Sequence, residues 1–425
     1  MDIKKRVQTK FNQVVSKYQS QFSRPVYKFI RDICFGILRS GHVHLSQIGA
    51  ALEEKTSLKK TTERLSSHLG RVGLDKELTH CHLEVNKRAF GQAKYLIADL
   101  SDINKPYAEK MEGLARVYDG STGELCNGYW QLNIIGVDEA GTSIMPMVSA
   151  LYATDKEGGT GFSENKKILE SVGTIAEHIR KDQIVVYDRG GDQSKLMYRW
   201  ITQKQYFIIR QTGSRRIYVN EQEKNFKTYA KHIPRRHTIT VQKRRKNRIK
   251  TRTFECGARQ VYLPKQYGDG RQETALWLVS AKERGKGWCW YLCNIAAETE
   301  AEAVRIAMQG YGYRWKIEEV HRQVKNDYNL EDVRLRRYTA LKNFNVLFWI
   351  TMSFLYHHLD GLSLDILQNA KIQVVYRPKK ISEYIGFIFY KLSRALQSIL
   401  GEIKLRKMRL TDKRDNADQL ILALE

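Results

Sequence analysis

Residues 183–210, QIVVYDRGGDQSKLMYRWITQKQYFIIR, decide how this chain folds. QIVVYD (183–188) is an apolar run of β-forming residues that ends in an acid, and QYFIIR (205–210) is another that ends in a base. Between them DQSKLMYRWITQ (192–203) spaces its apolar residues as a helix does. Strand, helix, strand is the crossover unit of parallel strands, whose runs are apolar throughout because helices cover both faces of the sheet. Upstream, YLIAD (95–99), YWQLNIIGV (129–137) and SIMPMVSALYA (143–153) read as strands, and ENKKILESVGTIAEHIRK (164–181) as an amphipathic helix. The sum is a mixed α/β layer.

Outward from this core the pattern changes three times. Residues 1–90 read as a helical domain. Within it, LSQIGAALEEKTSLKKTTERLSSHL (45–69) has the outline of a helix-turn-helix, with Ile48, Ala51 and Leu52 inward and Lys59, Lys60 and Arg64 exposed. A DNA reader and an ordinary helix pair both fit that outline. Residues 213–294 lose helical periodicity and alternate as strands with basic turns. Between 213 and 260 there are 15 Lys/Arg against 3 Asp/Glu, so much of the charge excess sits in this one block. Helix resumes at 295, and residues 341–425 are helical again with a basic end, KLRKMRLTDKR (404–414). The reading is a core of residues 91–212 and 295–340, interrupted by a basic β-rich insertion at 213–294, between helical N- and C-terminal domains.

The charge narrows the partner. Over 425 residues, 72 Lys+Arg face 46 Asp+Glu, a formal +26, which points to a polyanion and to nucleic acid first. The opening MDIKKRVQTKFNQ has no apolar segment of a secretory signal, and VLFWITMSFLY (346–356) is too short to span a bilayer. The cysteines at 34, 81, 126, 256, 289 and 293 form no zinc spacing and read as reduced. A cytoplasmic protein without a membrane partner is expected.

Asp99 follows the first strand and Asp188 the fourth, so both belong at the strand ends where α/β sheets carry their sites. Glu318 lies in YGYRWKIEEVHRQVK (311–325). At ~100° per residue, Tyr311, Arg314, Glu318 and Lys325 fall at roughly 0°, 300°, 340° and 320°, opposite the apolar Ile317, Val320 and Val324. Two readings stand for the polar face: solvated charge, or a working surface. Three converging carboxylates in a basic protein would repel unless cations sat between them. Their hard oxygens suit Mg²⁺, and a pair of ions would serve in-line phosphoryl transfer.

The chain resembles the DDE transposases of bacterial insertion sequences, in the cut-and-paste branch with a Tyr-x2-Arg-x3-Glu-x6-Lys signature. Tyr311, Arg314, Glu318 and Lys325 match it at every spacing, and ADLSD, VVYDRGGD, FIIR and YRWKIEE occur in the family's order. The resemblance covers roughly residues 94–212 and 290–330. It implies a ribonuclease-H-like core in which Asp99, Asp188 and Glu318 are catalytic and bind two Mg²⁺, with Mn²⁺ as a substitute. Asp102 rivals Asp99; Asp99 is taken because it directly ends its strand, as the family's first acid does. The resemblance also implies that Tyr311, Arg314 and Lys325 hold DNA phosphates, with Arg210 and Arg189 nearby. Trp290, with Trp288 as competitor, matches an aromatic that stacks a flipped base at a hairpin end. The expected partners are double-stranded transposon ends and target DNA on the bacterial nucleoid, and a second protomer in the synaptic complex. A decayed transposase acting as a repressor and a metal-dependent nuclease are the alternatives.

Overall fold

A computed structural model describes residues 2–119, 123–153, 164–179, 182–245, 248–370 and 388–402. The basic run 404–414 lies outside the described residues, as do the side chains of 242–250, which include the basic KRRKNR run (243–248). The chain opens with helices α1 (Ile3–Ser16), α2 (Arg24–Ser40), α3 (Leu45–Ala51), α4 (Leu58–Leu69), α5 (Leu74–Val85) and α6 (Lys87–Phe90). Strands β1 (Tyr95–Asn104), β2 (Ala115–Asp119), β3 (Glu124–Val137) and β4 (Ile144–Tyr152) follow. Then come α7 (Glu164–His178), β5 (Ile184–Tyr187), α8 (Ser194–Thr202) and β6 (Tyr206–Arg210). The basic block holds β7 (Arg216–Val219), β8 (Gln222–Asn225), α9 (Phe226–His232), β9 (His237–Arg245), β10 (Arg248–Val261), β11 (Leu276–Glu283) and β12 (Trp288–Asn294). Helices α10 (Glu300–Gly312), α11 (Trp315–Asn326), α12 (Tyr338–Ser353), α13 (Ser363–Asn369) and α14 (Phe389–Gly401) complete the described chain.

The sheet is mixed, as the strand pattern predicts. β3 runs antiparallel to both β1 and β4, whereas β5 pairs parallel with β1 and with β6. Across the core the order is β4-β3-β1-β5-β6. α7 and α8 supply the crossovers into β5 and β6. Their apolar faces, Ile168, Val172 and Ile175 on α7 with Leu196, Met197 and Trp200 on α8, are buried on the same side of the sheet.

The insertion differs from the expected separate unit. β12 pairs antiparallel with β6 (Tyr291↔Arg210 to Asn294↔Phe207), and β11, β10 and β9 extend the same sheet outward. The edge of β6 offers unpaired N–H and C=O groups, and β12 satisfies them as a core strand would. Among the described residues only β7 and β8 make a sheet of their own.

The helical ends also merge. α12 packs on β4, α2 and α5, and α14 on α2. Asn343 of α12 donates its Nδ2 hydrogens to the carbonyls of Leu69 and Arg71, each at 2.7 Å. The cause is in the sequence: α12 buries Leu341, Phe344 and Phe348 on one face and Val346, Trp349 and Ile350 on the others, and a helix apolar all round must be covered all round. One apolar core thus runs from Ile3 to Leu400. The helix-turn-helix outline corresponds to α3 and α4, with Lys59 and Lys60 exposed. Arg64 is different: its Nη2 donates to Asp32 Oδ2 and Glu54 Oε1, both at 3.0 Å. Asp32 is fully buried in α2, where Arg31 also donates to its Oδ1 at 2.9 Å, and a buried carboxylate of this kind is held by paired guanidinium groups.

A buried histidine ties these layers together. Tyr18 after α1 donates to His82 Nδ1 at 2.7 Å, and His82 Nε2 donates to the Pro146 carbonyl of β4 at 2.9 Å. Burial pushes the His82 pKa down to about 4. The folded state therefore holds this ring neutral, while the unfolded chain takes up a proton below about 6.5. Stability from this site is complete above that value and is lost as pH falls toward 4, on the order of 2 kcal/mol or more. Denaturant titrations from pH 7 to pH 4 should show this fall, and His82→Gln should flatten it while lowering stability at pH 7.

Candidate active site

The site is assembled where β1, β5 and α11 meet. β1 and β5 pair in parallel as Tyr95↔Ile184, Leu96↔Val185 and Ile97↔Val186. Extending that register by two residues sets Asp99 level with Asp188 on the neighbouring chain segment, about one strand spacing (~4.8 Å) away. Asp99 does not end its strand, as the sequence suggested. β1 continues through Asn104 because its other edge stays paired with β3 (Asp99↔Asn133). What ends near Asp99 is the parallel pairing with β5. Asp188 sits where β5 gives way to a tight turn, and its Oδ1 accepts from Gly190 N–H at 2.8 Å.

The third acid arrives from across the insertion. Thr299 caps α10 by accepting from Glu302 N–H, and α10 lies so close to the sheet that a Cβ at Gly310 would stand 2.6 Å from Tyr95 and 2.8 Å from Ile208. The helix then stops at Gly312, and α11 starts at Trp315. The expected single helix is thus two, joined by Tyr313 and Arg314 in helical conformation. Tyr313 fastens this joint by donating its hydroxyl to the Glu139 carbonyl at 3.1 Å. On α11 the apolar face is the one predicted: Ile317, Val320 and Val324 are buried. Glu318 stands on the open side.

Arg314 occupies the space between the acids. Its Nη1 lies 3.5 Å from Asp99 Oδ2, and its Nη2 donates to Glu318 Oε1. Burial, with Asp188 and Glu318 close by, lifts the Asp99 carboxyl to about 7 against the opposing pull of Arg314. Asp102 is taken up elsewhere. Lys325 Nζ binds Asp102 Oδ2 at 2.9 Å and Glu331 Oε1 at 3.0 Å, so both are held away from the acids in this state.

The aromatic and cationic residues divide. The guanidinium carbons of Arg210 and Arg314 each lie 5.9 Å from the Tyr311 ring centroid, a cation–π group beside the acids. Arg189 is exposed on the turn after Asp188. Trp290, expected as a stacking surface, is 8% exposed, against Phe226 and under the loop at Gly213. Strand alternation points its ring to the side of the sheet that α7 and α8 cover. Trp288, its competitor, is half-buried, with Arg235 4.8 Å above its ring. Asp192 of VVYDRGGD is structural, accepting from Thr212 N–H at 2.7 Å and from Arg215.

Two neighbours of the acids escaped sequence reading. Glu164, the first residue of α7, accepts from the Tyr187 hydroxyl beside Asp188, and burial raises its carboxyl pKa. His321, one turn beyond Glu318, brings Nδ1 to 3.8 Å from Asp99 Oδ2. Burial, with Lys325 and Arg314 adding to it, pushes its pKa down to about 3. The EEVHR context does contain His321 at i+3 from Glu318, but that spacing alone does not separate a site residue from a surface one.

As metal donors, Asp99, Asp188 and Glu318 offer the oxygen set that hard divalent cations take. A guanidinium already lying between two of them marks a place where positive charge is favourable. Their oxygens do not gather tightly enough for all three to ligate one ion. Among the described residues, the only His/Cys/Asp/Glu group whose ligand atoms all lie within 4.8 Å is remote from this site: His80, Glu177 and His178.

Residues 163–354 match the family model described as "Transposase DDE domain". The match includes Asp188 and Glu318 and begins after Asp99. Among curated proteins none is similar in sequence. Among solved structures, the chain is similar to one described as "Cryo-EM structure of piggyBac transposase synaptic complex with hairpin DNA (SNHP)". That likeness has 10% identity and a TM-score of 0.42, and covers 94% of this chain and 81% of the other. Among the described residues no helix is long and apolar enough to cross a membrane.

Proposed function

We propose that this chain is a DDE transposase that binds the inverted-repeat ends of a mobile element, cleaves the DNA there and joins the ends to target DNA. The observation that carries the reading is the placement of Asp99 level with Asp188, with Glu318 linked to Asp99 through Arg314. The strand order β4-β3-β1-β5-β6 supports reading the core as ribonuclease-H-like, and the match of residues 163–354 to the transposase DDE domain model supports the same assignment.

Asp99, Asp188 and Glu318 would hold two Mg²⁺, with Mn²⁺ able to replace them. Bound there, the ions would activate the attacking oxygen and stabilise the leaving one. The chain's own residues do the rest. Arg210 and Arg314 flank Tyr311, so a phosphate arriving beside the acids meets two guanidinium forks and a phenol. Arg314 then exchanges its carboxylates for the phosphate and vacates the space between Asp99 and Glu318. Lys325 would join the phosphate grip by leaving Asp102 and Glu331, and Arg189 lies open for the flanking backbone. A hairpin intermediate is part of this reading. Trp290 serves it by stacking a flipped base once the Gly213 loop lifts, and Trp288 already presents part of its ring. Synapsis of two ends calls for two protomers, so a homodimer forms at least on DNA.

The test is a cleavage assay on labelled linear DNA bearing the element's own ends, with Mg²⁺, for wild type and Glu318→Ala. Nicked or hairpin product is expected from wild type alone, with end binding largely retained by Glu318→Ala. Arg314→Ala is expected to weaken end engagement as well as cleavage. Binding without cleavage by wild type, in Mg²⁺ and in Mn²⁺, would replace this reading with that of a DNA-binding repressor.

A further inference from the structure

We propose that His321 is a positioning residue for Asp99, directing an Nδ1–H at its carboxylate, in a tautomer imposed by a buried chain of amides anchored on the main chain of β4. The proposal rests on the reading of Asp99 as a metal-binding acid.

The chain starts at a group with one polarity. The Ser149 carbonyl can only accept, and Asn345 Nδ2 of α12 donates to it at 3.2 Å and to Ser149 Oγ at 2.8 Å. Asn345 therefore turns Oδ1 outward, where Gln131 Nε2 donates to it at 2.6 Å. Gln131 in turn presents Oε1, which accepts from Asn133 Nδ2 at 3.1 Å. The same Asn133 Nδ2 lies 3.0 Å from His321 Nε2. An amide that must donate to Gln131 also donates to the ring, so His321 Nε2 accepts and the proton resides on Nδ1. Reversing Asn133 would set its Oδ1 against Gln131 Oε1, two acceptors in contact. Asn133 Oδ1 is instead left buried without a partner, which is the cost of this polarity.

The fold places the chain deliberately beside Asp99. Asp99, Asn133 and Ser149 are register partners across β1, β3 and β4, so they stand in one row on the sheet. Asn133, Gln131, Ser149 and Asn345 are each at most 3% exposed. α11 lays His321 over one end of the row and α12 lays Asn345 over the other. His321 Nδ1 lies 3.8 Å from Asp99 Oδ2, the same oxygen that Arg314 Nη1 approaches at 3.5 Å, so a small approach of the ring brings its N–H onto the carboxylate. A partner of this kind orients a metal-binding group, and losing one typically weakens metal binding by about 10–100-fold.

The experiment uses the full chain, metal-free and labelled with ¹⁵N-histidine. Two-dimensional NMR should show His321 with a bare Nε2 and a protonated Nδ1. Asn133→Asp, which puts an acceptor at Nε2, should move the proton to that nitrogen. Mn²⁺ binding followed by electron paramagnetic resonance should weaken by about 10-fold or more in His321→Phe and recover in part in His321→Asn, which restores an N–H. Metal-free binding to DNA ends should stay unchanged in both. A wild-type ring protonated at Nε2, or a folded His321→Phe that binds Mn²⁺ as tightly as wild type, overturns the proposal. Should His321→Phe fail to fold, the wild-type tautomer and the Asn133→Asp shift decide it. Tautomer and Mn²⁺ effects as expected in a protein that cuts no DNA would remove the transposase reading and leave the positioning role standing.

Discussion

Asp99→Asn is expected to abolish DNA cleavage and, in the absence of metal, to make the protein more stable than wild type. The two effects share one cause. Asp99 is largely buried, near Asp188 and Glu318, and only part of its charge is met by Arg314 and the His321 ring. A carboxyl with an ordinary pKa near 3.8 in the unfolded chain and about 7 in the fold costs stability once it must ionise. That cost is absent below the unfolded value, grows as pH rises between the two, and is complete above about 7. At ~1.4 kcal/mol per unit, Asn at this position should gain on the order of 2–4 kcal/mol at pH 8 and almost nothing at pH 4. Divalent cation inverts the ranking, because wild type gains binding free energy and Asp99→Asn loses a ligand. Thermal unfolding at pH 8 with and without Mg²⁺ reads both effects. Equal melting temperatures for the two metal-free proteins would mean that Asp99 is not a strained acid.

Gly310→Val is expected to lower stability by ~1–3 kcal/mol, the range of overpacking in a close-packed core, and to remove activity with it. Its Cβ would meet the Tyr95 ring at 2.6 Å and Ile208 Cδ1 at 2.8 Å, and the ring is itself buried. The only relief is for α10 to lift from the sheet, which would carry Arg314 and Glu318 away from Asp99. Gly312, two residues on, has nothing within 4 Å of its Cβ position. There Gly312→Ala should be neutral or stabilise by up to ~1 kcal/mol through helix propensity. Circular dichroism melts of the two variants test the pair. Similar losses for both would mean that helix α10 is not pinned at Gly310.

How much of this was legible can be judged residue by residue. The runs at 95–99, 129–137, 143–153, 183–188 and 205–210 all became strands of one sheet, because apolar β-forming runs report local conformation and burial directly. Ile317, Val320 and Val324 announced the buried side of α11 by their spacing. Asp99 was picked as a strand-ending acid, yet β1 continues through Asn104 along β3. Trp290 reads as a stacking surface from its place in the strand, whereas the fold holds its ring under the Gly213 loop. His321 and Glu164 gave no signal, since each gains meaning only from a residue far away in sequence, Asp99 for one and Tyr187 for the other.

Local chemistry, then, was determined by the sequence alone: the α/β alternation, the basic excess, and the four side chains Tyr311, Arg314, Glu318 and Lys325 carried near one another by a helical segment. These depend on periods of two and 3.6 residues, which any short window displays. Tertiary structure decided the pairings between windows. It joined β12 to β6 and made the insertion part of the sheet, and merged the helical ends into one core through α12. It also divided Asp99 from Asp102 by giving the latter to Lys325, and set the polarity of the amide chain behind Asp99. Each depends on which edge, charge or acceptor comes to lie opposite across long stretches of chain, and that is settled only when the whole core packs.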